Sequence, residues 1–300
     1  MCMSMNPKLA LPRCAAVATA LAVGRRSGWL VLFAAVALVN ASAIAVITPA
    51  QVSMSRADAT STTTPLAFEF EQAVVPKLRP PPDVAASYAT VLQEALDSGG
   101  VRIERPQFVA LVDRSPKVQA MLLFWGSAST AWRLVGAAPV STGLAGRYEH
   151  FATPLGVFDH SVNNPDYRAI GTKNRFGVRG YGRKGARVYD LGWVRAAKGW
   201  GNGAVSVMRL QMHATDPDRL EARLGTAQSE GCIRIPTSLN EFIDRHGVLD
   251  EDYQQKIDEG RRFWVLRGDR TPTPWSGRYV VVVDSMLNER PDWSPLPTAR

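Results

Sequence analysis

Two residues that can act together as nucleophile and base stand about twenty positions apart in this chain. Cys232 lies in the string Ser229-Glu230-Gly231-Cys232-Ile233-Arg234, and His213 follows the strand-like run 205–212. A thiol becomes a strong nucleophile only as the thiolate, and a neighbouring imidazole can take its proton. Gly231 permits a tight turn that exposes the thiol together with backbone N–H groups, which can stabilise an oxyanion. Cys232 and His213 are therefore the candidate catalytic residues.

The longer pattern around these two residues resembles the signature of the L,D-transpeptidase (YkuD-like) family. It runs from Met212-His213-Ala214-Thr215 to Ser-Glu-Gly-Cys-Ile-Arg, with fifteen residues between His213 and Ser229. The stretch 153–158, Thr-Pro-Leu-Gly-Val-Phe, resembles the family's Thr-Pro-x-Gly-x-Phe segment. Upstream, Phe108–Asp113 and Val140-Ser141-Thr142-Gly143 are similar to the family's opening strand and the end of its following strand. The resemblance covers residues 107–267 in the family's order.

This resemblance implies an L,D-transpeptidase-like β-sandwich or barrel that acts on peptidoglycan stem peptides. In the family, the cysteine attacks the carbonyl of the diamino acid at the third stem position and expels the terminal D-Ala. A side-chain amine of a second stem, or water, then resolves the thioester. By position, Cys232 is the nucleophile, His213 is the general base, and the backbone carbonyl of Ala214 orients the imidazole.

The same resemblance implies supporting roles for the turn around the nucleophile. The N–H groups of Gly231 and Cys232 would help to form the oxyanion hole, and Ser229 opens the motif. Arg234 would bind a substrate carboxylate, brace the loop, or form a structural ion pair.

Two positions depart from the family pattern. Glu230 stands where the family has a histidine, and Ala214 stands where it has a glycine. If the Glu230 carboxylate faces Cys232, it raises the pKa of the thiol and opposes thiolate formation. If it points away, it can pair with a base of the arginine-rich loop. The change at Ala214 is mild, because only its carbonyl is needed.

A glycine-rich basic stretch lies between the segment 153–158 and the string that starts at Met212. Residues 168–198 contain nine basic residues and one acid, Asp190. Such a stretch is typical of a flexible anion-binding lid or of a solvated loop between strands.

Composition excludes several classes of protein. The 300 residues are 46% hydrophobic and 21% charged, which is typical of a globular chain and not of a disordered, collagen-like or coiled-coil one. No cluster of Cys and His has zinc-site spacing, and no phosphate-binding Gly-Lys-Ser/Thr string occurs, so we expect neither a metal nor a nucleotide cofactor. The formal net charge of +8 would suit nucleic-acid binding, but the export segment described next argues against that partner.

The first 50 residues predict export. They contain no acid, and Arg25 and Arg26 precede an almost wholly apolar run from Trp29 to Pro49. This pattern indicates a secretory signal or an uncleaved membrane anchor, with a buried core helix as a third reading. Either of the first two places the body in the cell envelope, in the periplasm or at the outer face of the inner membrane. Of three cysteines, Cys2 and Cys14 precede the body, so Cys232 has no internal disulfide partner.

The pattern of elements predicts a mainly β body with a few helices. The predicted segments are a signal or anchor (1–50), a linker (51–82), a helical lead-in (83–106), the catalytic domain (107–267), and a C-terminal strand and tail (268–300). Strands are predicted at 108–112, 120–125, 132–137, 156–158, 188–191, 205–212, 263–266 and 279–283. Helices are predicted over 84–96, from a capping box at 238–241 to Gly247, and over 251–257.

Three functional hypotheses follow. The first is an envelope L,D-transpeptidase, with L,D-carboxypeptidase hydrolysis as its close alternative. The second is a catalytically weak wall-binding or scaffold module, which Glu230 motivates and the retained His213–Cys232 pair opposes. The third is an unrelated exported cysteine hydrolase, which would need an Asn or Asp to orient His213.

Overall fold

Two β-sheets carry the core of residues 66–297, which are the residues that this computed structural model describes. Helices are few in this part of the chain, so the prediction of a mainly β fold is confirmed. No helix among the described residues is long and apolar enough to cross a membrane. The signal or anchor predicted over 1–50, and the first part of the linker predicted over 51–82, lie outside the described residues.

The first sheet has five strands in the order β3-β2-β1-β9-β4. Their bounds are β1 Gln107–Asp113, β2 Ala120–Ser127, β3 Thr130–Pro139, β4 Gly156–Asp159 and β9 Tyr279–Val283. Every residue of β1 and β2 is buried, because both faces of the sheet are covered. Phe108, Ala110 and Val112 pack into the core shared with the second sheet, and the alternate residues Val109 and Leu111 pack under a helix.

The second sheet has four strands in the order β5-β6-β7-β8. Their bounds are β5 Tyr167–Arg168, β6 Arg187–Ala197, β7 Val205–Ala214 and β8 Ile233–Ile235. On β7, Met208, Leu210 and Met212 belong to the core between the sheets. Because side chains alternate along a strand, Arg209, Gln211 and His213 lie on the opposite face. That face carries the candidate catalytic base.

The helices lie outside the sheets. They are α1 over residues 66–73, α2 Pro82–Ser98, α3 Thr237–His246 and α4 Glu251–Asp258, with a 3-10 turn at Glu221–Arg223. Helix α2, the predicted lead-in, buries Tyr88, Leu92 and Leu96 against the first sheet. The predicted strands, apart from 263–266, fall within observed strands.

The folded body extends beyond the segment predicted as the catalytic domain. On the N-terminal side, Leu66, Phe70 and Val74 are buried in the core. Residues 66–82, which were predicted as part of a linker over 51–82, therefore belong to the folded body. Gly136 leaves room for the Phe70 ring, since a Cβ there would lie 2.2 Å from it. On the C-terminal side, the strand predicted as part of a tail is β9, which pairs with both β1 and β4.

Two local predictions are wrong. The apolar run 263–266 forms a turn, in which Phe263 packs edge-on against Tyr253 instead of pairing with a strand. The capping box at 238–241 does not form, because α3 already begins at Thr237, one residue before Ser238, and has no side-chain cap. The Ser238 hydroxyl instead donates to the carbonyl of Val75 (2.7 Å) and accepts from its N–H (2.8 Å). The predicted end at Gly247 is correct, with a left-handed φ of 56°.

A buried ion cluster anchors the start of β6. The guanidinium of Arg187 is fully buried and lies 2.7 Å from Asp166 and 2.7 Å from Asp250. The ring of His160 bridges Asp166 (2.9 Å) and the carbonyl of Leu249 (2.7 Å). Burial opposes the positive charge of His160, but the Asp166 carboxylate outweighs it and raises the pKa of the ring. Arg187 is therefore a core residue and not part of a solvated basic loop.

We predict that Arg187→Met strongly destabilises the fold, because it removes the buried cation that Asp166 and Asp250 share and leaves them only His160 and Arg270 as basic partners. The expected loss in the free energy of unfolding is about 3–5 kcal/mol. Urea denaturation of the variant and the wild type measures it. Arg267→Met, which removes a partner of the exposed Asp269, is the control and should leave the midpoint nearly unchanged. Equal midpoints for Arg187→Met and the wild type would show that the cluster does not stabilise the fold.

Candidate active site

Cys232 and His213 line one pocket at the end of the second sheet. The residues that line this pocket are Gly180, Tyr181, His213, Ser229, Glu230, Cys232 and Arg234. Strand β8 begins directly after Cys232 and runs parallel to β7, with Ile233 opposite Met212 and Arg234 opposite His213. Backbone pairing between these strands therefore brings the predicted nucleophile to the predicted base.

The ring of His213 is held in one orientation by the main chain. Its Nδ1 lies 2.7 Å from the carbonyl oxygen of Ala214. Because a carbonyl only accepts, Nδ1 carries the proton and Nε2 is left as the basic atom of the neutral ring. This is the contact that the family resemblance implies for Ala214.

The imidazole of His213 is neutral at physiological pH. Burial lowers its pKa to about 3, and the positive charge of Arg234 acts in the same direction, while the hydrogen bond to Ala214 opposes both. The ring is only 4% exposed. A neutral imidazole with a free lone pair on Nε2 can accept a proton, as a general base must.

The turn before Cys232 is braced from inside. The Ser229 hydroxyl donates to the carbonyl of Cys232 (2.5 Å) and accepts from the N–H of Gly231 (3.0 Å). Gly231 has a φ of +125°, and a Cβ there would lie 2.8 Å from the Cε of Met208. Only glycine fits this position without strain. The Gly231 N–H donates to Ser229 within this turn, and the oxyanion-hole role expected for the N–H groups of Gly231 and Cys232 stays a prediction.

Two further side chains hold the same turn from outside. The Thr153 hydroxyl donates to the carbonyl of Gly231 (2.7 Å) and accepts from the N–H of Gly143 (2.9 Å). The Nδ1 of His150 donates to the carbonyl of Ser229 at 2.9 Å. The sequence assigned neither residue a role, although Thr153 lies in a stretch that matched the family. The signal available in the sequence was a threonine directly before a proline, Thr153-Pro154.

A row of hydrogen-bonded polar side chains on the outer face of β7 was not predicted from the sequence. The ring of Tyr181 packs edge-on against His213, with 4.7 Å between centroids, and its hydroxyl donates to Gln211 at 3.2 Å. Gln211 in turn donates to Asp190 (3.1 Å), which pairs with Arg209 (2.6 Å). Two-residue alternation from His213 along β7 would have indicated Gln211 and Arg209, whereas Tyr181 and Asp190 come from distant positions.

The glycine-rich basic stretch is folded against the site. The backbone N–H of Arg179 donates to Asp216 at 2.6 Å, and its guanidinium lies 2.6 Å from Asp218. Gly182 lies so close to Ala214 that a Cβ there would be 2.8 Å from the Ala214 Cβ. Acids from outside the stretch therefore fix its centre over the end of β7. Other bases of the stretch are exposed, namely Lys173, Arg175, Arg183 and Lys184.

The remaining predicted site residues also lie here. Cys232 is 4% exposed, and its Sγ lies 3.9 Å from the carbonyl oxygen of Arg209. Glu230 lines the pocket, and its carbonyl accepts from the N–H of Phe151 at 3.2 Å. The guanidinium of Arg234 lies 3.5 Å from the carbonyl of Gln228, which fits the bracing alternative. Among the described residues, no group of three or more His, Cys, Asp or Glu is arranged to hold a metal ion.

Comparison with known proteins gives little. No family model matches the chain, and no curated protein matches it. Among solved structures, the chain is similar to the helical cell shape determining protein Pgp2 from Campylobacter jejuni, at 12% sequence identity and a TM-score of 0.26. The similarity covers 70% of this chain and spans 59% of the length of that protein.

We predict that His213 makes the fold less stable in acid. The unfolded chain protonates this ring near pH 6.5, whereas the folded chain does so only near pH 3, so the unfolded state binds more protons between these values. Its contribution to the loss of unfolding free energy over that window is roughly 3–5 kcal/mol. Urea titrations at several pH values should give a shallower pH slope for His213→Gln than for the wild type. Parallel slopes would show that His213 is not held neutral by burial.

Proposed function

We propose that this protein is a peptidoglycan L,D-transpeptidase of the cell envelope, with residues 107–267 forming the core of an L,D-transpeptidase-like β-sandwich. The observation that carries the proposal is the pairing of Cys232 in one pocket with a buried, neutral His213 that the Ala214 carbonyl orients. A cysteine and a histidine with a main-chain third member form a variant of the catalytic triad.

The first half-reaction cleaves a stem peptide. Nε2 of His213 takes the thiol proton, and the thiolate of Cys232 attacks the carbonyl carbon of the diamino acid at the third stem position. In this proposal the N–H of Cys232 stabilises the oxyanion. The tetrahedral intermediate then collapses, the C–N bond to the terminal D-Ala breaks, and the imidazolium returns its proton to the leaving amine. The product is a thioester between Cys232 and the stem.

The second half-reaction resolves the thioester. A side-chain amine of another stem attacks the thioester carbonyl, His213 takes a proton from that amine, and the C–S bond breaks to regenerate the thiol. The product is a new amide crosslink. If water is the acceptor instead, the product is a free tripeptide stem and the activity is that of an L,D-carboxypeptidase. The two outcomes share every step up to the thioester.

The choice of substrate rests on the sequence pattern. The string from Met212 to Arg234 resembles the family signature in residue type and spacing, and the acid-free N-terminus predicts export to the compartment where peptidoglycan is assembled. The proposed partners are peptidoglycan stem peptides, with no nucleic acid and no cofactor. The N-terminal segment would serve as a signal or as a membrane anchor.

Glu230 supports one competing function. It lines the pocket in place of the family's histidine, and a carboxylate close to a thiol disfavours the thiolate. A chain that retained the fold but lost the reaction would act as a wall-binding scaffold. The braced turn and the oriented His213 favour the enzyme, because binding alone requires neither.

We predict that Cys232→Ala abolishes product formation. The full-length chain is incubated with disaccharide-tetrapeptide muropeptides, and products are read by liquid chromatography with mass detection. With the wild type we expect a crosslinked dimer that lacks one D-Ala, or a tripeptide product if water is the acceptor. With Cys232→Ala we expect neither, because no thiol is present to form the thioester.

The control is Cys232→Ser, which keeps a side chain of similar size and should fold normally while losing nearly all activity. Adduct formation with a carbapenem, the inhibitor class that the family resemblance implies, provides a second measurement. Product or adduct on Cys232→Ala would assign the chemistry to another residue. Wall binding by the wild type without any product would favour the scaffold.

We also predict that Glu230→His acylates at the wild-type rate or faster, because it removes a negative charge from the pocket that Cys232 lines. The acylation rate is measured by the accumulation of the carbapenem adduct over time. Glu230→Gln keeps the size of the side chain and separates the effect of charge from that of shape. A severe loss of rate in both variants would show that the carboxylate has a role of its own.

A further inference from the structure

A cluster of aromatic rings lies beside the catalytic turn and has no role in the proposed mechanism. Its members are Phe151, Trp200 and Tyr148. The rings of Phe151 and Trp200 are edge-on at 4.9 Å between centroids, and those of Trp200 and Tyr148 are 6.0 Å apart. Phe151 is buried, Trp200 is partly buried, and Tyr148 is 76% exposed. We call Tyr148 and Trp200 the aromatic platform.

The platform is attached to the catalytic turn through Phe151. A Cβ on Gly231 would lie 3.1 Å from the Phe151 Cβ, and the N–H of Phe151 donates to the carbonyl of Glu230 at 3.2 Å. The preceding residue, His150, donates to the carbonyl of Ser229. The aromatic rings and the nucleophile therefore share one scaffold.

The two loops that carry the platform are joined by main-chain hydrogen bonds. The N–H of Gly146 donates to the carbonyl of Gly199 (2.6 Å), and the N–H of Gly199 donates to the carbonyl of His150 (2.7 Å). Gly199 permits this approach, because a Cβ there would lie 2.4 Å from the His150 oxygen. The backbone that carries the rings is thus fixed, which lowers the conformational entropy lost when a ligand stacks on them.

The surroundings of the platform suit a neutral polar ligand of about one or two rings. The ammonium of Lys198 lies 5.7 Å from the centre of the Trp200 ring, and Arg147, Glu149 and Asn202 are exposed nearby in sequence. Charges of both signs are present, which does not favour an anionic polymer. Two rings also make too small an apolar surface for stable protein docking, which takes patches of several hundred Å².

We propose that the aromatic platform binds a sugar ring of the glycan strand to which the stem peptide is attached. The C–H groups on one face of a pyranose pack on an aromatic face, while its hydroxyl and acetamido groups bond to polar side chains around it. This inference rests on the proposed function, since it assigns the site a substrate with peptide and sugar parts. The platform holds the sugar while Cys232 attacks the peptide.

The test compares two substrates that differ only in the sugar. The full-length wild type, Tyr148→Ala and Phe176→Ala are assayed with a disaccharide-tetrapeptide and with the same tetrapeptide lacking the disaccharide. Phe176 is the matched control, an aromatic residue that is 65% exposed on the basic stretch. Tyr148→Ala should lower kcat/KM for the disaccharide-tetrapeptide by about fivefold to tenfold, mainly through KM, and leave the free tetrapeptide unchanged. Phe176→Ala should change neither.

A binding measurement separates this inference from the proposed function. The full-length Cys232→Ala variant is titrated with an N-acetylglucosamine tetramer while tryptophan fluorescence is recorded, with and without the additional Tyr148→Ala change. Binding that Tyr148→Ala weakens supports the platform even if no muropeptide is turned over, in which case only the proposed function fails. Turnover without any difference between the two substrates, or equal effects of Tyr148→Ala and Phe176→Ala, overturns the platform and leaves the proposed function standing.

Discussion

The parallel pairing of β7 with β8 is the constraint on which the site depends. This pairing sets Ile233 beside Met212, so the residue before β8 and the residue near the end of β7 meet at one edge of the sheet. Parallel neighbours cannot be joined by a tight turn, and the intervening chain must cross over before it returns. That crossover carries Asp216, which holds the basic stretch, and Ser229, which shapes the turn before Cys232. Cys232, His213 and the surrounding loops are therefore positioned by one strand register.

Most of the catalytic turn is supported by hydrogen bonds to main-chain carbonyls. Thr153 and His150 each donate to a carbonyl of the turn, and Ser229 bonds within it. Such contacts fix the backbone and leave the side chains of the pocket open to change. The hydrogen bonds that shape this turn therefore do not depend on the side chain at position 230, since Glu230 takes part through its carbonyl.

The sequence predicted the strands well because hydrophobic alternation and turn residues are local signals. From the order and spacing in the resemblance, it also predicted that Cys232 and His213 meet and that the Ala214 carbonyl contacts the imidazole, and the structure has both in one place. Contacts between distant segments could not be predicted from the sequence. Tyr181 approaches His213 from a loop about thirty residues away, and nothing in the local pattern indicates that contact. The capping box failed for the same reason, because Ser238 bonds to Val75, which is 163 positions distant in the chain. Local patterns thus specified elements, whereas tertiary contacts decided how their polar groups were used.

The position of β9 sets the order in which this chain can fold. The strand Tyr279–Val283 fills the gap between β1 and β4 and runs parallel to β1, about 170 residues earlier in the chain. Until β9 has been made, β1 and β4 lack the strand that pairs with both of them, and their facing edges stay open. Contacts over such a separation form slowly, since the loop between them must close first. The first sheet is therefore completed only after most of the described body has been made, and β1 and β4 stay without their shared partner until then.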